Sequence, residues 1–405
     1  MSEIITGSIL FTTIVVVLAS IVLGARWGLR PQGTVTVTVN DDVRLLASAG
    51  QKLLGVLSDG GILVPSACSG SGTCGLCRVR VTHGGTELSP TERSCITRTE
   101  AGAGWRLACQ VSVRNDLSLQ VPQELFGVES WECVVRSART VAPFIREIVF
   151  DLPPGAEMRF RAGAFVQIVA PPYATAFESF DVSPQHESIW GQCGLRDLAM
   201  DSTEATTRAY SLANRPQDKG VIVIDVRLAL PPPGSGAPPG VVSSYLFSLK
   251  VGDSVRASGP FGTFHVQPTA REMVLIGGGA GMAPLRAIIH EQLGSVGTAR
   301  KMSYWYGARS RVELFYTDEM DALRREHENF SWTVALSEPK PDDAWEGATG
   351  FIHEVVYSQY LGSHAAPEEC EYYLCGPPLM AKAVLAMLDE LGVGRDAIYF
   401  DDFGT

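Results

Sequence analysis

Nine cysteines occur in this 405-residue sequence, and four of them have a spacing that suits iron. Cys68, Cys74 and Cys77 follow the pattern C-x5-C-x2-C, and Cys109 comes later in the same stretch. Four thiolates are the ligand set of a [2Fe-2S] cluster. The intervening glycines let the backbone fold tightly around a cluster and direct amides at its sulfurs. We therefore predict a [2Fe-2S] cluster at these four cysteines.

Zinc is the alternative metal for this set. Zinc sites usually combine two C-x2-4-C pairs, whereas this stretch has one such pair and a lone fourth cysteine. The five-residue first gap resembles adrenodoxin-like and related ferredoxin domains, which favours iron. The remaining cysteines outside the nucleotide motif have no spacing partner, and we interpret each as a small buried apolar residue: Cys95, Cys133, Cys193 and Cys370.

A second group of residues suits a flavin. The segment Arg208-Ala209-Tyr210-Ser211 resembles the R-x-Y-S element of the ferredoxin-NADP reductase superfamily. The resemblance implies that Arg208 meets the flavin pyrophosphate, that Tyr210 packs on the isoalloxazine and that Ser211 approaches its N5. The chemistry agrees, because a guanidinium forms charge-assisted bonds to phosphate, an aromatic face stacks on a planar ring, and a hydroxyl donates to a developing anion.

The stretch that begins at Gly240 resembles the phosphate element G-x-x-S of the same superfamily. Glycine permits close approach, and Ser243 or Ser244 suits the cap of a helix whose amino end attracts phosphate. An ordinary capped helix would have the same sequence features.

A glycine-rich loop follows the apolar segment that begins at Met273. It fails the pattern G-x-G-x-x-G, because Met282 stands where the third glycine belongs. A nest of amides at a helix start still suits phosphate. The loop resembles the superfamily's G-G-G-x-G-x-x-P element, which implies that it holds the pyridine nucleotide pyrophosphate through Gly277, Gly278, Gly279, Gly281 and Pro284.

Three further positions come from the same resemblance. Arg309 follows the next strand, where that fold holds the adenosine ribose, although it would equally suit a surface charge. Cys375, Gly376 and Pro377 resemble the C-G-P element, whose cysteine lies beside the nicotinamide C4; a free core cysteine is the alternative. In the aromatic tail, Phe403 is the candidate for a residue that shields the flavin until nicotinamide displaces it.

The elements that must position these residues follow two patterns of secondary structure. Between residues 131 and 264, short apolar segments separated by Pro/Gly turns predict an antiparallel barrel with strands at Ile145–Leu152, Ala164–Val169, Val221–Leu230 and Ser254–Ala257. Further on, strands alternate with glycine turns and helices. This predicts a parallel sheet with helices on both faces and strands at Met273–Ile276, Met302–Tyr306, Trp332–Leu336 and Tyr372–Cys375.

The amino-terminal segment is apolar and long enough to cross a bilayer. Residues 4–25 carry no charged side chain and would span roughly 33 Å as a helix. A cleaved signal peptide has a positive start, which this sequence lacks. Arg26 and Arg30 follow the segment, and the positive-inside tendency therefore places the rest of the chain in the cytoplasm. The alternative is a buried core helix.

We therefore expect a multidomain α+β and α/β protein with four segments. They are a transmembrane anchor at residues 1–30, a ferredoxin-like domain at 31–127, an FAD-binding barrel at 128–268 with an insertion at 171–205, and an NADH-binding domain at 269–405. A formal net charge of -11 repels phosphate backbones, which argues against nucleic acid as a partner. Four clustered cysteines in a long, otherwise cysteine-poor chain favour a reducing compartment.

The insertion at 171–205 has neither the composition of a flexible linker nor an obvious extra pair of strands. Its aromatic residues are mixed with carboxylates and include Tyr173, Phe177, Phe180 and Trp190. We hypothesise that these aromatics anchor a partner subunit. The alternative is that they pack the insertion onto its own barrel.

This order of segments covers essentially the whole chain and resembles the F subunits of sodium-translocating NADH:quinone reductases. The resemblance implies a β-grasp ferredoxin domain, FAD, a [2Fe-2S] cluster and NADH in preference to NADPH. It also implies hydride transfer from NADH to FAD, single electrons passing to the cluster, and partner subunits in a respiratory complex of the bacterial inner membrane. A membrane-anchored NAD(P)H reductase serving an oxygenase is the alternative. The anchor, the five-residue cysteine gap and the insertion favour the respiratory subunit.

Overall fold

The computed structural model describes residues 7, 11–21, 33–66, 68, 70–85, 87–232 and 234–401, without the side chains of residues 123 and 124. These residues divide into two compact units. The first lies within residues 1–64 and 70–126, and the second within residues 65–69 and 127–405.

Residues 11–21 form a helix, α1, with exposed apolar side chains such as Phe11 and Ile21. The rest of the predicted anchor, residues 4–6, 8–10 and 22–25, lies outside the described residues. Among the helices that are described, none combines the length and the hydropathy that a membrane crossing requires.

The first unit is a five-stranded mixed sheet with a helix packed on it. Its strands are β1 (Thr34–Val39), β2 (Val43–Ser48), β3 (Arg78–His83), β4 (Trp105–Leu107) and β5 (Leu117–Gln120), in the order β2-β1-β5-β3-β4. The terminal strands β1 and β5 are parallel neighbours, and the other pairs are antiparallel. Two helices complete the unit, α2 (Leu53–Asp59) and α3 (Arg98–Gly102). Alternation in β1 buries Val37 and Val39, which pack with Leu53, Val56 and Leu57 of α2.

The second unit begins with an antiparallel barrel. Its strands are β6 (Glu129–Ala142), β7 (Ile145–Asp151), β8 (Phe165–Ala170), β11 (Thr206–Ser211), β12 (Val221–Arg227) and β13 (Ser254–Phe261), in the order β11-β8-β13-β6-β7-β12. A bridge between Leu212 and Ile224 joins the two ends of this order and closes the barrel. Helix α5 (Val241–Ser248) buries Leu246 and Phe247 against it. The predicted barrel strands are confirmed, with ends that shift by a few residues.

The insertion begins after β8 and ends before β11, as expected, but two interpretations of its interior are wrong. It does contain an extra pair of strands, because β9 (Tyr173–Ala176) pairs antiparallel with β10 (Ala199–Ser202), with α4 (Glu187–Gln192) between them. Three of its four named aromatics are also unavailable as anchors for a partner. Phe177, Phe180 and Trp190 are buried in the barrel core, where Trp190 stacks on Phe247 of α5 at a ring distance of 6.2 Å. The insertion therefore seals the barrel.

We predict that Trp190→Ala lowers the free energy of unfolding by about 3–5 kcal/mol, because it opens a large cavity at the centre of this aromatic cluster. The carbonyl of Pro143 also loses its donor, the Trp190 indole N–H. Urea denaturation followed by circular dichroism measures the effect. The control is Phe351→Ala, which truncates a ring that is 62% exposed and should change stability by less than about 0.5 kcal/mol. Equal effects of both substitutions would contradict a core role for Trp190.

The rest of the second unit is a six-stranded parallel sheet, the α/β part. Its strands are β14 (Met273–Gly278), β15 (Met302–Ala308), β16 (Phe330–Leu336), β17 (Ala348–Thr349), β18 (Glu371–Cys375) and β19 (Ile398–Asp401), in the order β17-β16-β15-β14-β18-β19. The helices are α6 (Met282–His290), α7 (Thr317–Glu326), α8 (Ile352–Gln359) and α9 (Pro378–Glu390). Every residue of β14 is buried, as helix-covered central strands require. The predicted parallel sheet is confirmed.

Candidate functional site

Three of the four predicted cluster ligands lie together in the first unit. Cys77 and Cys109 are buried and Cys74 is half-buried. A hydrogen bond with Cys109, burial, and the nearby thiols of Cys109 and Cys74 together raise the pKa of Cys77 well above its ordinary value. Such close thiols suit a multi-cysteine metal group. Cys68 is half-buried, residues 67 and 69 beside it lie outside the described residues, and its role as the fourth ligand stays a prediction.

The loop around these cysteines depends on glycine. Gly70, Gly72 and Gly75 have φ values of +85°, +87° and +67°, in the left-handed region that other residues rarely adopt. A Cβ at Gly75 would lie 3.2 Å from the Cβ of Cys95. Cys95 is therefore not an isolated core residue, because its thiol contacts the carbonyls of Gly72 and Thr73, each at 3.6 Å.

Gln110 supports the same loop, and sequence reasoning missed it. Its side-chain amide donates to the Gly70 carbonyl at 3.1 Å and to the Cys109 sulfur at 3.4 Å. It therefore ties the glycine loop to one of the buried thiols. Its position directly after Cys109 was the one available sequence feature. Among the other cysteines, Cys133 and Cys370 are buried as predicted, whereas the interpretation of Cys193 as buried is wrong, because it is exposed.

The predicted flavin residues lie on β11, which pairs antiparallel with β8. Arg208 and Tyr210 share one face of the strand, since side chains alternate. Arg208 is exposed, Tyr210 is half-buried and Ser211 is buried. Burial raises the pKa of Tyr210, so its phenol stays neutral. An exposed guanidinium beside a neutral aromatic ring fits the phosphate and the planar ring of a flavin.

Ser211 contacts the far end of the α/β part. Its hydroxyl donates to Asp401 of β19 at 2.6 Å. In the sheet register Asp401 is the partner of Cys375 on β18, so the predicted N5 residue bonds to the strand neighbour of the predicted nicotinamide residue. In the sequence, the tail that contains Asp401 stood out for its aromatics. The candidate there, Phe403, lies outside the described residues.

The start of α5 differs from the prediction. Neither Ser243 nor Ser244 caps the helix, because it begins directly after Gly240 and includes both serines. The Ser243 hydroxyl accepts from the Ala229 amide and donates to the Gly240 carbonyl, each at 3.1 Å. Ser244 is fully buried. Since no described side chain caps this end, the first amides of the helix suit an anionic group.

The predicted nucleotide loop lies at the carboxyl end of β14. Gly279 has φ +56°, and α6 starts at Met282, with Pro284 in its first turn as predicted. A Cβ on Gly277 would lie 2.8 Å from Leu285, and one on Gly278 would lie 2.9 Å from the sulfur of Met380. The glycines therefore let a strand and two helices converge at the turn.

The loop is packed directly on the predicted nicotinamide element. A Cβ on Gly281 would lie 2.0 Å from the carbonyl oxygen of Cys375 and 2.8 Å from the nitrogen of Gly376. Cys375 is buried, and Pro377 precedes the first residue of α9. Two motifs that are far apart in sequence thus form one surface at the carboxyl edge of the sheet, where ligands of such folds bind.

Arg309 is exposed just beyond β15 at the same edge, in agreement with either of its sequence interpretations. Arg227, at the end of β12, was not predicted. Its Nη1 lies 3.1 Å from where a Cβ of Gly279 would stand, so a barrel guanidinium faces the glycine loop. A cavity of about 400 Å³ opens beside Cys375, and its lining includes Lys382, Arg395, Phe400 and Asp401.

The opposite edge of the sheet carries a cluster with metal-ligand chemistry, formed by Glu272, His364 and Cys370, whose ligand atoms lie within 4.8 Å of one another. Hydrogen bonds explain it without an ion. The Nδ1 of His364 accepts from the Ala366 amide at 3.2 Å, so its Nε2 carries the proton and donates to Glu272 at 3.3 Å. Lys301 neutralises the same carboxylate at 3.4 Å.

We predict two different defects for two substitutions in the second unit. Arg208→Leu should weaken FAD binding by about 10- to 100-fold, the value of charge-assisted hydrogen bonds. Cys375→Ala should keep its FAD and slow hydride transfer by about tenfold, because this thiol is predicted to touch the nicotinamide and not the flavin phosphates. Flavin content and stopped-flow flavin reduction measure the two effects. Arg256→Leu and Cys370→Ala are the matched controls, and an exchange of the two phenotypes would refute both placements.

Three family models match the chain. They describe a 2Fe-2S iron-sulfur cluster binding domain at residues 36–114, an oxidoreductase FAD-binding domain at 175–266 and an oxidoreductase NAD-binding domain at 275–386. Among solved structures, the cytochrome P450 reductase GcoB of Amycolatopsis covers 91% of this chain and 99% of its own at 24% identity, with a TM-score of 0.65. A ferredoxin reductase of carbazole 1,9a-dioxygenase covers 92% and 98% at 24% identity, with a TM-score of 0.61. At that identity they show the fold.

Full-length relatives are much closer in sequence. The F subunit of the Na(+)-translocating NADH-quinone reductase of Idiomarina loihiensis is 50% identical over 407 residues, which is 100% of both chains. That of Methylococcus capsulatus is 50% identical over 406 residues, again 100% of both. With this identity along the whole length, the chain belongs to the family of F subunits of sodium-translocating NADH-quinone reductases.

Proposed function

We propose that this protein oxidises NADH at a bound FAD and passes the electrons singly to a [2Fe-2S] cluster. The observation that carries the proposal is the contact of Ser211 with Asp401, since it joins the strand predicted to hold the flavin to the strand beside Cys375. When bound, FAD accepts a hydride and returns its electrons one at a time, which the cluster requires.

The residues around these groups have separate tasks. Arg208 binds phosphate and Tyr210 supports the flavin ring. The open start of α5 binds a second anionic oxygen, and Ser211, whose hydroxyl donates to Asp401, lies near the reacting nitrogen. The glycine loop at 277–281 holds the nucleotide phosphates through its amides, Arg309 lies by the ribose, and Cys375 orders the nicotinamide without blocking it. Cys68, Cys74, Cys77 and Cys109 hold the cluster.

The membrane role is proposed from the relatives' name and the amino-terminal sequence. The protein would serve as electron input to a sodium-translocating quinone reductase of the bacterial inner membrane and contact its other subunits. Residues 4–25 would anchor it in the bilayer. The four proposed segments of the chain would meet at residues 30/31, 127/128 and 268/269. If so, alkaline washing should leave the full chain in membranes and release a variant that lacks residues 1–30. Release of both would exclude the anchor.

Anaerobic titration of the purified holoprotein with NADH tests the electron path. We expect flavin bleaching followed by the EPR signal of a reduced [2Fe-2S] cluster, and a higher kcat/KM for NADH than for NADPH. Flavin reduction without a cluster signal would contradict the path. Co-purification with membrane subunits distinguishes the respiratory role from the alternative, an anchored reductase of an oxygenase.

A further inference from the structure

A buried pair of carboxylates lies between the barrel and the α/β part. Glu147 on β7 and Asp225 on β12 are cross-strand partners, and both are more than 90% buried. Two charged carboxylates directly opposite each other repel. Tyr316 of the α/β part, which lies just before α7, contacts both acids. Its hydroxyl bonds to Glu147 and lies 2.9 Å from Asp225 Oδ1.

The hydrogen-bond geometry requires a proton on one of the two acids. A phenol has a single O–H proton and can donate it to one carboxylate. The Tyr316 phenol stays protonated, because burial and the two neighbouring acids, Asp225 and Glu147, raise its pKa far above the ordinary value. The second contact is therefore a hydrogen bond only when that acid donates to the phenol oxygen.

Asp225 is the acid that holds the proton. Glu147 bonds to Arg139, its cross-strand neighbour on β6, at 2.7 Å. Burial opposes ionisation of Glu147, but the hydrogen bonds from Arg139 and Tyr316 outweigh it and lower the pKa of Glu147. Asp225 bonds to no cation among the described residues, and its Oδ2 has no partner there. Burial, with the charge of Glu147, raises its pKa to about 7.

The surrounding cations do not neutralise Asp225 in place of that proton. From α6, Arg286 stacks 4.4 Å above the Tyr316 ring, but its guanidinium is paired with Glu319 of α7 at 2.6 and 3.0 Å and also donates to the Ala213 carbonyl. His290 of α6 bonds to the same Glu319. The other ionisable groups near Asp225 are Tyr304 and Tyr306 on β15 and Arg227 on its own strand.

We propose that Asp225 is a positioning residue, whose protonated carboxyl donates to Tyr316 and thereby holds the α/β part on the barrel. Tyr316 adopts φ +57°, a conformation rare for a non-glycine residue and maintained by these contacts. Loss of the Asp225 proton leaves two facing, charged carboxylates and one donor. This weakens the contact of Tyr316 with the barrel, and with it the packing of the α/β part on the barrel. The nicotinamide then shifts relative to the flavin, a consequence that rests on the proposed function.

The proton itself is tested on the holoprotein by infrared spectroscopy, independently of NADH. A carbonyl stretch of a buried carboxylic acid should be present near neutral pH in the wild type and in Asp201→Asn, an exposed matched control, and absent in Asp225→Asn. Relative to Asp225→Asn, the wild-type free energy of unfolding should fall between about pH 4 and about pH 7. In this range the unfolded acid has released its proton and the folded one has not. The absence of the acid band in the wild type would overturn the proposal.

Kinetics test the positioning role. Between about pH 6 and pH 9 the wild-type KM for NADH should rise by about tenfold relative to that of Asp225→Asn, since asparagine donates to Tyr316 at every pH. Tyr316→Phe, which removes the shared donor, should show the raised KM already at the lower pH. Identical pH profiles for wild type and Asp225→Asn would overturn it. Failure of the proposed function would instead appear as a wild type whose flavin NADH does not reduce.

Discussion

Gly281→Ala is expected to reduce the rate of flavin reduction by NADH by at least about 100-fold, because displacement of reacting groups by an ångström has this effect. The backbone conformation at Gly281 would accept alanine, since its φ is -63°. The obstacle is purely steric. The new methyl group would stand 2.0 Å from the Cys375 carbonyl oxygen and 2.3 Å from its carbon. The loop must therefore move away from the nicotinamide element.

Stopped-flow flavin reduction measures this effect, with flavin and cluster content as checks of folding. The matched control is Gly294→Ala in the same half of the unit, where a Cβ would meet nothing within 4 Å. It should keep the wild-type rate. A Gly281→Ala protein that reduces its flavin normally would show that the two motifs do not form one site.

Cys74→Ala is expected to remove the EPR signal of the cluster and to reduce electron transfer into a quinone reductase to background. NADH reduction of a small dye, which takes electrons directly from FAD, should stay within about twofold, because the cysteine belongs to the other compact unit. Cys74 is half-buried, so its loss disturbs packing less than loss of buried Cys77 would.

Cys193→Ala is the control for this substitution, since that exposed thiol lies outside the proposed cluster loop. It should leave both activities unchanged. Loss of FAD together with the cluster in Cys74→Ala would contradict the independence of the two units. An unchanged EPR signal would remove Cys74 from the ligand set.

Local patterns were sufficient wherever one short segment determines its own structure. Apolar segments between Pro/Gly turns predicted the barrel strands β7 and β12, and the glycine-rich turn after β14 predicted the loop and the start of α6. The bounds of the insertion followed from the strands on either side of it. Each of these features depends on neighbours within a few residues along the chain.

Contacts between distant segments were beyond such patterns. The composition of the insertion suits aromatic anchors for a partner, and only the packing of Trp190 on Phe247 shows what these residues cover. Cys95 had no spacing partner, yet it supports the cysteine loop through backbone carbonyls. Asp225 is an ordinary strand residue in sequence, and its facing carboxylate and bridging phenol come from two other elements.

The packing of Gly281 on Cys375 joins segments that are synthesised at different times. β14 and its glycine loop are synthesised before β18, whose backbone supports the loop, and before β19, whose carboxylate Ser211 contacts. A nascent chain with a finished barrel therefore lacks the backbone surface on which the proposed nucleotide site depends.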